Sequence, residues 1–180
     1  MRVIDRVMDE IQSVISQVKE EDLKKIMQEI TKDKRFFVDG EGRSGFQAKS
    51  FAMRLMHIGY QSYVMGETTT PPLRSGDVYV AISGSGKTKN TVHNTETAKA
   101  IGAKILAVTS KPDSDLGKLA NFIIFIPGKV KNDNSVSSIQ LLSSLFDQSV
   151  HITLDTLCLM LSYRDHTSDE QASKNHMNIE

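Results

Sequence analysis

Hydrophobic residues along the chain follow two spacings, one typical of amphipathic helices and one typical of buried strands. Near the N-terminus, apolar residues recur every three or four positions, which predicts two helices over residues 3–32 with a break at residues 20–22. Farther along, short and almost wholly apolar runs suit strands that are covered on both faces. These runs are residues 35–39, 61–65, 77–82, 104–109 and 122–126.

Helical segments separate the predicted strands. Residues 46–56 and 87–101 have helical patterns, Gly102 is placed to end the second helix, and a short segment covers residues 115–120. Strands that alternate with helices indicate a parallel, doubly wound sheet. The pattern therefore predicts an α/β fold with a five-stranded parallel sheet flanked by helices.

The C-terminal part of the chain lacks strand patterns and consists of a polar stretch, a long apolar segment and a polar tail. Residues 129–138 are polar and predict a loop, and a long apolar segment then predicts a helix from about Ile139 to Tyr163. Its apolar residues cover more than one face, so we expect part of this helix to contact another subunit. Residues 164–180 are polar and predict a frayed tail. We expect one domain over residues 1–180, with N-terminal helices 3–32, a sheet core 35–127, and a C-terminal helix and tail 139–180.

Composition narrows the class of protein. The 180-residue chain has 22 basic and 22 acidic residues, so its net charge is +0 and we expect neither nucleic acid nor an anionic membrane as a partner. Its single cysteine, Cys158, excludes an intramolecular disulfide and lies among leucines, where a small buried hydrophobe is expected. No run resembles a signal peptide or a bilayer span, so we expect a soluble, cytoplasmic protein.

The run at residues 77–82 leads into the most informative loop, Ser-Gly-Ser-Gly-Lys-Thr at 83–88. Glycines allow close approach of a ligand, hydroxyls supply hydrogen bonds, and the start of the next helix supplies free N–H groups and partial positive charge. These features predict an anion site, most simply for a phosphate. The alternative is an ordinary helix cap, but a cap needs one hydroxyl and this loop has three.

A dinucleotide site is a second possibility. Residues 40–45 match the G-x-G-x-x-G fingerprint after a predicted strand, and Glu67 lies at about the spacing of an acid that binds a ribose. Against this interpretation, the loop at 83–88 suits a different ligand geometry, residues 68–72 form a rigid polar loop, and 180 residues leave little room for a substrate domain.

The strands should end in one hydroxyl-rich edge, where ligands bind in open α/β sheets. Hydroxyls and amides suit a phosphorylated polyol better than a purine. The five histidines lack metal-binding spacing, so no metal is expected. They are His57, His93, His151, His166 and His176.

Four motifs resemble the SIS (sugar isomerase) domain family, and more narrowly its 6-phospho-3-hexuloisomerases of the ribulose monophosphate formaldehyde pathway. They are Gly-Arg-Ser-Gly at 42–45, Phe-Ala-Met-Arg-Leu-Met-His at 51–57, Gly-Glu-Thr-Thr-Thr-Pro at 66–71, and Ser-Gly-Ser-Gly at 83–86 with Thr88. The resemblance covers nearly the whole chain. It implies a flavodoxin-like three-layer sandwich, a homotetramer, no cofactor, functional coupling to a 3-hexulose-6-phosphate synthase, and conversion of D-arabino-hex-3-ulose 6-phosphate to fructose 6-phosphate through an enediolate.

The resemblance also implies roles for individual residues. The phosphate would be held by Ser44, Ser83, Ser85 and Thr88. Further substrate contacts would come from Gly42, Arg43, Gly84, Gly86 and Lys87. The catalytic groups would be Asp147, His57, Glu67 and His176, with Asp147 the leading candidate for the base and His176 expected from a neighbouring subunit's tail.

Two positions depart from the pattern of that family. It has Glu at the position of Asp147, whose shorter side chain retracts the carboxylate by about an ångström. It also has Glu at the position of Lys87. Two alternatives therefore stay open: another sugar-phosphate isomerase of the SIS family, or a non-catalytic sensor that binds a sugar phosphate.

Overall fold

A parallel sheet forms the centre of the protein. The computed structural model describes residues 1–133 and 135–179. Its five strands lie in the order β2-β1-β3-β4-β5, and all neighbours pair in parallel. They are β1 (Arg35–Gly40), β2 (Gln61–Val64), β3 (Val78–Ile82), β4 (Lys104–Thr109) and β5 (Phe122–Phe125). The predicted α/β fold with a five-stranded parallel sheet is confirmed.

Seven helices surround this sheet within the described residues. They are α1 (Val3–Ile15), α2 (Glu20–Glu29), α3 (Gly42–His57), α4 (Lys89–Ile101), α5 (Asp115–Leu119), α6 (Ser144–Arg164) and α7 (Asp169–Lys174). The predicted end of α4 is confirmed, because Gly102 adopts a left-handed conformation (φ +97°) that suits glycine. None of the helices in these residues is long and apolar enough to cross a membrane.

Alternating side chains on the strands build two apolar layers, one on each face of the sheet. Phe36 and Val38 of β1 join the layer that buries residues of α1, α2, α3 and α6. Phe37 of β1 and Tyr79 of β3 join the opposite layer, which includes Ala98 of α4 and Leu116 of α5. Burial on both faces explains why the strands are nearly continuous apolar runs. Because all the strands run parallel, their carboxyl ends lie at one edge, where α3 and α4 begin.

The predicted start of the long C-terminal helix at Ile139 is wrong. Helix α6 begins at Ser144, because Leu142 has a left-handed backbone (φ +53°) that a continuous helix cannot contain. The side chain of Glu10 accepts a hydrogen bond from the amide of Ile139 in the segment before it. The apolar periodicity of residues 139–143 therefore belongs to an irregular segment, in which Leu141 and Leu142 remain exposed.

The prediction of a frayed tail is also wrong for the described residues. Helix α7 starts at a capping box in which Ser168 and Gln171 exchange side-chain and backbone hydrogen bonds. Just after this helix, the Asn175 side chain donates to the carbonyl of His57 (2.9 Å). These contacts fix the tail against the end of α3. Glu180 lies outside the described residues.

Candidate active site

The loop at residues 83–88 joins β3 to α4 and is held by its own side chains. The hydroxyls of Ser83 and Thr88 lie 2.9 Å apart, and the Ser83 hydroxyl accepts a bond from the amide of Gly86 (3.1 Å). Ser83 is buried, so this hydroxyl shapes the loop from within. Ser85 and Thr88 are less buried and line a cavity.

Two glycines let this loop pack closely against its neighbours. Gly86 has a φ of +63°, and a Cβ there would lie 1.8 Å from the hydroxyl oxygen of Ser114. A Cβ on Gly84 would lie 2.5 Å from a methyl of Val130. Both distances are impossible for real atoms, so the loop requires glycine at these positions.

Helix α3 begins beside this loop and brings three predicted residues to the same edge of the sheet. Gly42 is its first residue and has a φ of +58°, and Arg43 and Ser44 follow in the first turn. The hydroxyl of Ser44 donates to Asp147 Oδ1 (3.1 Å), and Arg43 Nε lies 3.5 Å from Asp147 Oδ2. Ser44 and Asp147, both predicted to belong to the site, are therefore in direct contact.

Asp147 is a buried carboxylate in the first turn of α6, with 0% of its surface exposed. The hydroxyl of Ser143 donates to its second oxygen (2.8 Å), so each oxygen accepts a side-chain bond. Burial raises the pKa of Asp147, and the bonds from Ser143 and Ser44 and the charge of Arg43 offset only part of that shift. A carboxylate with a raised pKa is suited to take and return a proton.

A cavity of about 750 Å³ lies over these groups, within the range of small-molecule sites. Its wall contains Ser44 and Ser143, the two hydroxyl partners of Asp147, so the carboxylate lies one side chain behind the wall. Eleven of the fourteen lining residues are polar or glycine, and the three apolar ones are Val130, Leu141 and Leu142. The lining residues are Glu41, Gly42, Arg43, Ser44, Gly84, Ser85, Thr88, Val130, Lys131, Asn132, Leu141, Leu142, Ser143 and Ser144.

The predicted substrate contact Lys87 and the predicted catalytic group Glu67 do not line this cavity. Lys87 is exposed and lines an adjacent cavity of about 540 Å³ together with Lys111 and Lys131. Glu67, after β2, pairs its carboxylate with Lys49 of α3 (3.0 Å).

His57 and His176 form a separate cluster at the opposite end of α3. Their rings lie 5.1 Å apart, and burial together with the nearby Arg54 and His176 lowers the pKa of His57. Helix α3 is 16 residues long, so about 20 Å separates this cluster from Ser44 in the first turn. One chain therefore brings Asp147 close to the cavity that Ser44, Ser85 and Thr88 line, but keeps the two histidines apart from it.

Several residues of the site were not predicted from the sequence. Ser143 contacts Asp147, and its position four residues earlier, one helical turn away in the predicted helix, was a usable signal. The wall residues Val130, Asn132, Leu141 and Leu142 come from an irregular segment that has no recognisable motif. Among the described residues, no group of three or more His, Cys, Asp or Glu side chains could hold a metal ion.

Comparisons with known proteins show the family to which the chain belongs. The sequence profile of the SIS domain matches residues 29–152. The 3-hexulose-6-phosphate isomerase of Mycobacterium gastri is 40% identical over 177 residues, which cover 97% of this chain and 88% of the relative. The enzyme of the same name from Bacillus subtilis is 35% identical over 179 residues, or 98% of this chain and 97% of the relative.

A solved structure extends the likeness to three dimensions. A Methanococcus jannaschii protein, for which the crystal structure infers a function of 3-hexulose-6-phosphate isomerase, superimposes with a TM-score of 0.86 at 30% identity and 98% coverage of both chains. The profile match spans the fingerprint glycines at 40–45 and the loop at 83–88, so a sugar-isomerase domain replaces the dinucleotide-binding alternative. The chain belongs to the SIS domain family.

Proposed function

We propose that this protein is an isomerase that converts D-arabino-hex-3-ulose 6-phosphate to fructose 6-phosphate. The observation that carries the proposal is the placement of the buried Asp147 directly behind a hydroxyl-lined cavity that also contains the loop at residues 83–88. Full-length similarity to relatives named 3-hexulose-6-phosphate isomerase supports this substrate among the sugar phosphates.

The phosphate binds at the start of α4. This helix has 13 residues, and its free N–H groups and partial positive charge favour an anion. Ser85 and Thr88 line the cavity beside that helix start, and Ser44 lines it from the start of α3. Ser83 and Gly86 support this arrangement from inside the loop, and Gly84 lies in the cavity wall.

Asp147 is the base in the proposed reaction. Its carboxylate removes the proton from C2, which leaves an enediolate with the negative charge on the C3 oxygen. That oxygen takes up a proton from solvent, the C2 hydroxyl releases one to solvent as C2 becomes the carbonyl, and the protonated Asp147 returns its proton to C3. For this transfer, Ser44 or Ser143 must give up its bond to the carboxylate, and Arg43 stabilises the negative charge that develops.

A neighbouring subunit completes the site in this proposal. His57 and His176 lie too far from Asp147 to reach the same sugar within one chain, so they, with Glu67, serve the site of another copy in a homotetramer. Large apolar side chains of α3 and α6 remain exposed and support such an assembly. They are Met53, Met56, Ile152, Leu159 and Tyr163.

The proposed substrate defines the metabolic setting. A 3-hexulose-6-phosphate synthase in the cytoplasm would supply the hexulose phosphate from formaldehyde and ribulose 5-phosphate.

A coupled assay tests the function directly. Purified protein is added to ribulose 5-phosphate, formaldehyde and a separate hexulose-phosphate synthase, and fructose 6-phosphate is measured. Formation of fructose 6-phosphate that depends on this protein is expected. Tight binding of fructose 6-phosphate without turnover would contradict the proposal and favour the sensor alternative.

A further inference from the structure

One carboxylate on the N-terminal helix holds a segment that forms part of the cavity wall. We call residues 138–143 the strap. Glu10 of α1 accepts three hydrogen bonds from the first three residues of the strap. The donors are Ser138 Oγ (2.6 Å), the amide of Ile139 (2.8 Å) and Gln140 Nε2 (3.1 Å). Burial tends to raise the pKa of Glu10, but these bonds and the nearby Arg6 outweigh it, and the net pKa is lowered.

The strap links its Glu10 contacts at one end to the candidate base, Asp147, at the other. Leu141 and Leu142, 80% and 64% exposed, line the cavity, and Ser143 at the end of the strap donates to Asp147. Leu142 has a left-handed backbone (φ +53°), a conformation that a leucine keeps only where surrounding contacts enforce it. Glu10 provides such contacts at one end of the strap, and α6 provides them at the other.

Glu10 has little to do in attaching its own helix. Helix α1 packs through Ile11 and Val14, which are buried in the core, whereas Glu10 is only partly buried and is not a core residue. Its three bonds all go to the strap, so their effect is on the position of residues 138–140. A carboxylate with hydrogen bonds to three successive residues fixes both the direction and the register of the chain that follows.

We propose that Glu10 is a positioning residue of the active site, acting through the strap to set the cavity wall at Leu141 and Leu142 and the Ser143–Asp147 contact. The expected effect on kcat and KM rests on the proposed function. The effect of Glu10 on the position of the strap does not, because these contacts form without substrate.

The test compares Glu10→Ala with Glu10→Gln, which keeps the side-chain length and one acceptor oxygen. Asp9→Ala is the matched control, since Asp9 is an exposed carboxylate on the same helix. Hydrogen–deuterium exchange without ligand follows the amide of Ser144, which bonds to the carbonyl of Leu141 and not to Glu10. We expect exchange at Ser144 to accelerate at least about tenfold in Glu10→Ala, less in Glu10→Gln, and not in Asp9→Ala.

KM and kcat, measured per amount of folded protein, distinguish a positioning role from a purely structural one, which would leave both unchanged. With activity scaled to folded protein, Glu10→Ala is expected to raise KM and to lower kcat, each by about tenfold, because the wall and the base partner are both displaced. Glu10→Gln should recover part of both losses.

Either of two results overturns the inference. Unchanged exchange at Ser144 in Glu10→Ala would show that Glu10 does not set the strap, whatever the activity. Faster exchange with unchanged KM and kcat would show that the strap does not set the site. If wild-type protein has no turnover and binds no fructose 6-phosphate, the proposed function fails, and the exchange result still decides whether Glu10 positions the strap.

Discussion

The hydroxyl of Ser44 in the first turn of α3 donates to the carboxylate of Asp147 in the first turn of α6, at 3.1 Å. The N-termini of two helices thus meet at one buried acidic group, and the partial positive charge of both favours its ionised form. Burial acts in the opposite direction and prevails, so the pKa of Asp147 is raised. This balance defines a base that holds a proton more readily than an exposed aspartate.

Replacing Asp147 by asparagine should remove the proton-transfer group and keep its shape. We expect kcat to fall by about 10²–10⁴-fold while KM changes much less, because the phosphate contacts remain. Steady-state kinetics check this prediction, with Asp9→Asn as the exposed-carboxylate control. Full turnover by Asp147→Asn would show that another group is the base.

The pH dependence of the reaction should reflect the raised pKa of Asp147. The carboxylate must be ionised to accept a proton, so kcat/KM should fall as the pH drops through its folded pKa, which lies above the ordinary value of about 3.9. A pH–rate profile measures this fall in kcat/KM at low pH. A midpoint at or below the ordinary pKa of aspartate would contradict the assignment of Asp147 as the base.

The same shift has a consequence for stability with a definite sign. Because the folded pKa is above the unfolded one, Asp147 favours folding when protonated, and this contribution is lost as the pH rises through the folded pKa. Asp147→Asn should therefore have a higher Tm than the wild type at pH 7. The difference should disappear below about pH 3.9, the ordinary value.

A site shared between subunits should allow two inactive variants to rescue each other. Asp147→Asn and His57→Ala are each expected to lose activity, but in mixed oligomers one chain can supply Asp147 and its neighbour His57. Co-refolding of equal amounts should restore about a quarter of wild-type activity, since random mixing places two intact partners together in one of four sites. No recovery in verified mixed oligomers would show that the histidines do not complete a neighbour's site.

The close packing of the loop at residues 83–88 should make Gly86 far more sensitive to substitution than other glycines with positive φ. Gly86→Ala adds both backbone strain and a collision with Ser114, and should lower the free energy of unfolding by more than about 2 kcal/mol. Gly66→Ala is the matched control: its φ is +88° and the space around it is open, so only the strain of about 1 kcal/mol applies. Denaturant unfolding compares the two, and equal losses would contradict the packing account.

The sequence was sufficient to predict the sheet, because buried parallel strands carry continuous apolar runs and glycine marks their turns. Local motifs and resemblance also assigned Ser44, Ser85, Thr88 and Asp147 to one candidate site; the first three line one cavity, and Asp147 contacts Ser44. The sequence did not predict the strap, since Ile139, Leu141 and Leu142 fit an apolar helical pattern and the bonds to the strap come from Glu10, about 130 residues away. Such a contact leaves no local pattern in either segment.

The separation of His57 from Asp147 could not be predicted for a similar reason. The sequence already placed Ser44 before and His57 after the predicted helix at residues 46–56. What it could not show is that Asp147, far from both in sequence, contacts Ser44 at the N-terminal end of α3, because such a long-range contact leaves no local pattern.

Solvent exchange tests the central claim most directly, and it needs no second enzyme. Fructose 6-phosphate is incubated with the protein in D₂O and followed by NMR, alongside Asp147→Asn. If the protein removes the C3 proton of fructose 6-phosphate, deuterium should appear at C3, or hex-3-ulose 6-phosphate should form, while C1 stays unlabelled. Neither change is expected with Asp147→Asn. Labelling at C1 alone, or no change at C3 and no 3-ulose product, would contradict the proposed reaction.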